Sequence, residues 1–131
     1  MNTLVSAKVI IFRPDGKFLT LHRTKTAPHH PLSWDFPGGI IDEGESIEEG
    51  VLREIREEAG LEIKTLELLN LRSRIIENKK LYIPLIYTAQ AESEKIAISW
   101  EHDKFQWVTK DEFLNLEAAE TLKNAVRKIA N

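Results

Sequence analysis

The sequence contains no cysteine, so disulfides, thiolate metal sites and a cysteine nucleophile are all excluded. Long apolar runs are missing too. The opening stretch MNTLVSAKVIIF falls well short of the roughly 20 residues that span a bilayer and has no basic flank of the secretory kind. It is expected to be a strand. No glycine-rich phosphate loop, serine-nucleophile motif or zinc-ligand spacing occurs. The net charge of −3 offers no basic excess for nucleic acid or for an anionic membrane. What remains is ordinary globular material, 42% hydrophobic and 30% charged over 131 residues. That length is enough to bury roughly 65–70% of the unfolded surface, so residues 1–131 are expected to form one domain. The lack of cysteine suits a reducing, cytoplasmic setting.

Periodicity and turn residues set out the elements. Leu4–Phe12 is β-rich, Arg13-Pro14-Asp15-Gly16-Lys17 is a turn, and Phe18–Arg23 alternates apolar with polar, which predicts a hairpin. A loop of Thr24–Ser33, rich in Pro and His, follows. Leu61–Ile76 and Lys80–Gln90 are expected as two long strands, with Pro84 marking an edge or a bulge. Phe105–Val108 is a further short strand. Thr109-x-x-Glu112 is a capping box, and Leu116, Ala119, Leu122, Val126 and Ile129 then carry a helical apolar stripe. Strands interleaved with two marked helices predict a mixed sheet packed between helices, an α/β fold.

The stretch GGIIDEGESIEEGVLREIREEAGL, Gly38 to Leu61, is the unusual one: Asp42, Glu43, Glu45, Glu48, Glu49, Glu54, Glu57 and Glu58 crowd into it. Ser46-x-x-Glu49 is a capping box that starts a helix at about Ile47, and Gly60 supplies the left-handed residue that ends it after Ala59. Ile47, Val51, Leu52, Ile55 and Ala59 make its apolar arc. Glu54, Glu57 and Glu58 stand at i, i+3 and i+4, on one face, with Gly50 projecting between Glu54 and Glu57 and leaving that space open. Like charges at this spacing each cost a helix about 0.2–0.5 kcal/mol. Arg53 and Arg56 offset part of that. A hard divalent cation, Mg²⁺ or Mn²⁺, would turn the clash into a site. The ordinary alternative is a solvated helix face laced by pairs such as Glu49–Arg53–Glu57.

The spacing decides between them. Gly39, five residues, Glu45, seven residues, then Arg53-Glu54-Ile55-x-Glu57-Glu58-x-Gly60-Leu61 resembles the Nudix box at every fixed position. Trp34-Asp35-Phe36-Pro37-Gly38-Gly39 looks like the family's approach to that box, and Phe105-Gln106-Trp107-Val108 like its late strand. The resemblance implies a Nudix-like α/β/α sandwich over nearly the whole chain and hydrolysis of a nucleoside diphosphate linked to another moiety. It implies that Glu54, Glu57 and Glu58 hold metal and activate water, that the Gly39 carbonyl is a metal ligand, and that Glu45 and Arg53 form a supporting pair.

Outside the box, Glu101 in Trp100-Glu101-His102-Asp103 is the candidate for an additional catalytic and metal-binding acid, against a plain solvated charge. Arg23 is a candidate phosphate contact. Trp34 is a candidate for stacking on a base, against a place in the core. His29 and His30 are expected to be exposed and His22 structural. Relatives in the resembled family that cleave ADP-ribose carry a proline soon after the box, whereas here the first after Gly60 is Pro84, so the resemblance points away from that substrate. Trp100-Glu101-His102-x-x-Phe-x-Trp107 resembles relatives that act on nucleoside triphosphates or dinucleoside polyphosphates. A sugar-nucleotide hydrolase and a domain that binds nucleotide without cleaving it are the alternatives. Dimers are common in the resembled family, so a homodimer is possible.

Overall fold

A computed structural model describes residues 2–76 and 79–130. Eleven elements follow one another: β1 (Asn2–Phe12), β2 (Phe18–Arg23), β3 (Trp34–Asp35), β4 (Gly38–Ile40), α1 (Ile47–Ala59), β5 (Ile63–Leu71), β6 (Arg74–Ile76), β7 (Lys80–Ala91), β8 (His102–Val108), α2 (Lys110–Leu114) and α3 (Glu120–Arg127). The sheet runs β3-β2-β1-β7-β5, with β4 on β1, β6 on β7 and β8 on β2. Only β1 and β7 run parallel; the other pairs are antiparallel, so the sheet is mixed.

Alternation along β1 sends Ala7, Val9 and Ile11 to one face, where they meet Val51, Ile55 and Ala59 of α1. Ile10 points to the other face and packs with Phe18, Phe36, Phe113, Leu122 and Val126. One helix covers one face and two cover the other, which is the expected sandwich. Fully burying a Val, Ile or Phe side chain is worth about 1.5–3 kcal/mol, so each face has its own core.

Four expectations are corrected in detail. The predicted hairpin pairs only at its tip, Phe12 with Phe18. Beyond that β1 leaves β2, and β4 takes its place at Ser6–Lys8. The long strand ending at Ile76 breaks at Arg72–Ser73 into β5 and β6. Pro84 lies opposite that break, inside the sheet rather than at its edge. Its carbonyl accepts from Arg72 N at 3.3 Å, so its ring nitrogen faces the same side, where no ladder partner is asked of it. The C-terminal stripe is not one helix: of its residues only Leu122 and Val126 lie in α3. Thr109 and Glu112 do form a capping box, but Asn115 ends α2, and Trp34 N then takes Glu117 O at 2.8 Å. Leu116 and Ala119 therefore reach the core from a connecting segment.

Candidate active site

The acidic helix runs Ile47–Ala59 for the reasons its sequence gives. Ser46 accepts from Glu49 N while the Glu49 side chain accepts from Ser46 N, and Gly60 sits at φ 69° with its N–H on Arg56 O. Leu61 folds back into the core. The preceding loop turns at Gly44 (φ 85°) and lies over Gly50. A β-carbon at Gly50 would stand 2.7 Å from Ile41 Cδ1 and 3.0 Å from Glu45 Oε1. The space expected to stay open above the acids is therefore filled by this loop.

Arg53 ties loop to helix. Its Nε donates to Glu45 Oε2 at 2.7 Å and its Nη2 to Glu45 Oε1 at 3.0 Å, a bidentate pair. Nη1 donates to Glu54 at 3.1 Å and to Glu57 at 3.2 Å, and Nη2 also meets Asp42 at 3.3 Å and Ile40 O at 3.3 Å. The expected Glu45–Arg53 contact is present. Glu49 is absent from this set because its carboxylate serves the helix cap.

Glu58 behaves differently from its neighbours. It is 6% exposed, and its Oε2 accepts from Gly38 N at 3.1 Å. Burial raises its pKa, opposed by Lys8 and the Gly38 N–H and reinforced by the adjoining Glu54 carboxylate, to about 8. Gly38 can make this contact because it has φ 141° and no side chain; a β-carbon there would stand 2.0 Å from Ala7 O. Gly39 supports Glu54 in the same way, since a β-carbon would stand 2.8 Å from that carboxylate. Two carboxylates thus meet against a glycine backbone with too little positive charge between them. That donor set, all hard oxygen, fits Mg²⁺ or Mn²⁺. As the side chains stand, no three His, Asp or Glu among the described residues converge on one point, because Arg53 draws Glu57 and one edge of Glu54 outward.

A second network, on the sheet, escaped the sequence reading. Lys8 Nζ meets Asp35 Oδ2 at 3.0 Å and Gly38 O at 3.5 Å, and Arg23 Nη1 meets the same Asp35 oxygen at 3.3 Å. Burial works against the Lys8 ammonium, but Asp35 and Glu58 outweigh it and its pKa is raised. Burial likewise works against the Asp35 carboxylate, and Lys8 brings its pKa below the usual value. The available signal was a lysine inside an apolar strand, SAKVIIF, and an aspartate between Trp34 and Phe36.

The remaining candidates are placed as follows. Arg23 ends β2, paired with Asp35 and donating from Nε to His29 O at 2.8 Å. Trp34 is 8% exposed, its ring edge-on to His22 at 4.9 Å and under Lys104 at 5.6 Å. His22 Nδ1 stands 2.7 Å from Asp103 Oδ1. Glu101 is exposed on the turn before β8, with its carbonyl accepting from Thr24 N at 3.3 Å. That turn lies beside the end of α1, where Ser99 N donates to Glu58 O at 3.3 Å. The buried member of the segment is His102, 4% exposed, whose ring nitrogens have no partner among the described residues. Burial lowers its pKa to about 4, so it is neutral.

Known proteins resemble this chain in sequence and in fold. An RNA pyrophosphohydrolase of Caulobacter vibrioides is 43% identical over 61 residues, covering 47% of this chain and 33% of that protein. The chain thus matches only about a third of that relative's length. The nucleoside triphosphatase NudI of Escherichia coli O139:H28 is 26% identical, with 86% of this chain and 90% of that one covered. The crystal structure of a MutT NUDIX hydrolase from Burkholderia pseudomallei superposes with a TM-score of 0.81 at 28% identity, covering 99% of this chain and 100% of that chain. The NUDIX domain model matches residues 2–129, so the capped acidic helix, its glycine approach and the surrounding sandwich together make this chain a member of the NUDIX domain family.

Proposed function

We propose that the protein is a hydrolase that cleaves a diphosphate bond in a nucleotide, using Mg²⁺ or Mn²⁺, with a nucleoside triphosphate or dinucleoside polyphosphate as substrate. The observation that carries this reading is the meeting of Glu54 and Glu58 against Gly38 and Gly39, where burial holds one carboxylate short of compensating charge. A divalent cation there would neutralise diphosphate charge and make water easier to deprotonate. Glu54, Glu57, Glu58 and the Gly39 carbonyl are the residues that would hold it. Arg53 orients Glu54 and Glu57 and, through Glu45, fixes the loop that carries Gly39. Arg23 is the candidate to take a phosphate oxygen, a reading supported by the donors it has to spare beyond Asp35 and His29. Trp34 is left out of the substrate contacts because its ring is already covered. The proton of the attacking water goes to a carboxylate, either within the box or to Glu101 on the neighbouring turn. The substrate class rests on NudI, a nucleoside triphosphatase whose match spans most of both chains.

The test is a phosphate-release screen over nucleoside triphosphates, oxidised nucleotides, sugar nucleotides and dinucleoside polyphosphates, run with Mg²⁺, Mn²⁺ or EDTA. Turnover is expected with either metal and none in EDTA; undiminished turnover in EDTA would sink the mechanism. A second reading is favoured by the hold of Arg53 on both Glu54 and Glu57: a domain that binds nucleotide without cleaving it. It predicts nucleotide binding with no product under any metal.

A further inference from the structure

A cavity of about 310 Å³ opens on the α2–α3 face of the sheet, lined by Ser6, Lys8, Asn70, Arg72, Arg74 and Tyr82 among others. One end is shared with the active site, since Lys8 is the same residue that meets Gly38 O and faces Glu58. The other end lies at the break between β5 and β6, where Arg72 and Arg74 stand.

The arginines of this chain divide sharply. Arg13, Arg23, Arg53, Arg56 and Arg127 each meet a carboxylate at 3.5 Å or less. Among the described residues Arg72 and Arg74 meet none, although acidic residues outnumber basic ones in the chain, 21 to 18. Both line the cavity. Arg74 is also held in place: its guanidinium lies over the Tyr82 ring at 5.5 Å, and Tyr82 OH is fixed by Ser6 Oγ at 3.0 Å. A stacked guanidinium keeps its N–H edge free, the edge that grips a phosphate in a fork. Asp35, the carboxylate of the lining, is already committed to Lys8 and Arg23. Among the described residues the outer end is therefore cationic and without a counter-ion.

We propose that this cavity binds a second phosphate, carried on the nucleoside of the substrate away from the scissile diphosphate and gripped by Arg72 and Arg74. This rests on the hydrolase reading for what enters the cavity but not for the charge of its outer end. The volume is at the lower end of small-molecule sites and of the order of a single nucleoside, so the ligand class is a nucleotide with a phosphate on its ribose as well as on its 5′ end.

The test is binding, by calorimetry, of adenosine 3′,5′-bisphosphate against adenosine 5′-monophosphate, on the whole chain in EDTA. The bisphosphate is expected to bind at least about tenfold more tightly, one or two charge-assisted contacts' worth. The preference is expected to shrink as salt is raised. Arg72→Gln with Arg74→Gln should erase it and leave the monophosphate affinity unchanged; Tyr82→Leu should weaken it by releasing Arg74. Equal binding of the two nucleotides, or a preference that survives the double variant, would overturn the proposal. So would an equal response to inorganic phosphate alone, which would make the site one for a free anion. Failure of the turnover screen would remove the hydrolase reading and leave this preference standing.

Discussion

Arg53 and Lys8 each act on more than one carboxylate, Arg53 by contact and Lys8 by contact with Asp35 and by its charge on Glu58, yet they reach along the chain very differently. The acidic partners of Arg53 lie between Asp42 and Glu57, on its own helix and the loop just before it. Lys8 sits on β1 and meets Asp35 of β3, 27 residues away, beside Glu58 of α1. The Arg53 network is half in water and is built from helix geometry. The Lys8 network is buried and exists only because β4 pairs with β1, setting Gly38 opposite Lys8. A helix brings its own charges together by spacing alone; a sheet does so only once its register is fixed. The two networks meet at Glu54 and Glu58, so the candidate active site is where the local and the long-range constructions touch.

Glu58 should show the largest effect of any single change. Glu58→Gln keeps side-chain shape and removes the buried carboxylate, and kcat is expected to drop about a thousandfold, on the order of 4 kcal/mol in the barrier. A fall of less than about tenfold would leave Glu58 as a purely internal acid. The same variant reports on the raised pKa. Below pH 4.5 Glu58 is protonated whether folded or not, and the two proteins should differ little in its contribution. Between there and about 8 the unfolded wild type gives up the proton that the folded one keeps. Wild-type stability should therefore decline relative to the variant across that window and level off above it. Denaturant melts in EDTA at several pH values would show this, and a flat difference would contradict it.

Lys8→Met should do the next largest damage, and to the fold first. Removing one partner of a buried pair costs about 3–5 kcal/mol. Lys8 and Asp35 retain 25% and 12% side-chain exposure, and Arg23 remains with Asp35, so about 3 kcal/mol is expected, or a Tm lower by about 10 °C. A Tm unchanged to within about 2 °C would mean the buried network is not what holds β1 to β3 and α1.

Arg53→Ala comes third, at about 1 kcal/mol, because its partners are partly solvated and such pairs contribute little each. Its effect on kcat should be larger than on stability, since Glu54 and Glu57 lose their orientation. Arg53→Lys sharpens the point: a single ammonium cannot reproduce the fork on Glu45, so stability should recover and kcat should not. The smallest change in stability is expected from Glu57→Gln. The Glu57 side chain is 59% exposed, and its loss should shift thermal unfolding by less than about 0.5 kcal/mol while still lowering kcat. A large loss of stability here would mean that the outer network, not the inner one, braces the helix.

The same contrast explains what could be read from the sequence. The limits of α1 were legible because a capping box and a left-handed glycine act within one turn of the residues they control. The contact of Glu45 with Arg53, eight residues apart, was expected only through the resemblance to the Nudix box. Pro84 was misplaced because its tolerance depends on the neighbouring strand breaking at Arg72–Ser73, which nothing near Pro84 announces. The stripe from Leu116 to Ile129 kept its helical period although the chain between Asn115 and Ala119 is not helical, since a bridge to Trp34 interrupts it. Lys8 and His102 were invisible because a strand residue reveals its partners only through register. The cavity with its two arginines lay hidden in the same way, assembled from β1, β5, β6 and β7.

The parallel pairing of β1 with β7, unbroken from Asn2↔Lys80 to Phe12↔Gln90, bears on how the chain is made. β1 emerges from the ribosome well before β7, and until then only β2, at its tip, and β4, at Ser6–Lys8, can pair with it. The strand it is built to lie against has yet to be translated. At about 5–20 residues per second, the wait is on the order of 4–16 s. Throughout that interval the segment Val9-Ile10-Ile11, fully buried in the finished fold, lacks the long parallel strand that covers its other edge. Nascent chains halted before Lys80 should accordingly be cut by protease along their whole length, and resistance should appear only once Ala91 has cleared the exit tunnel.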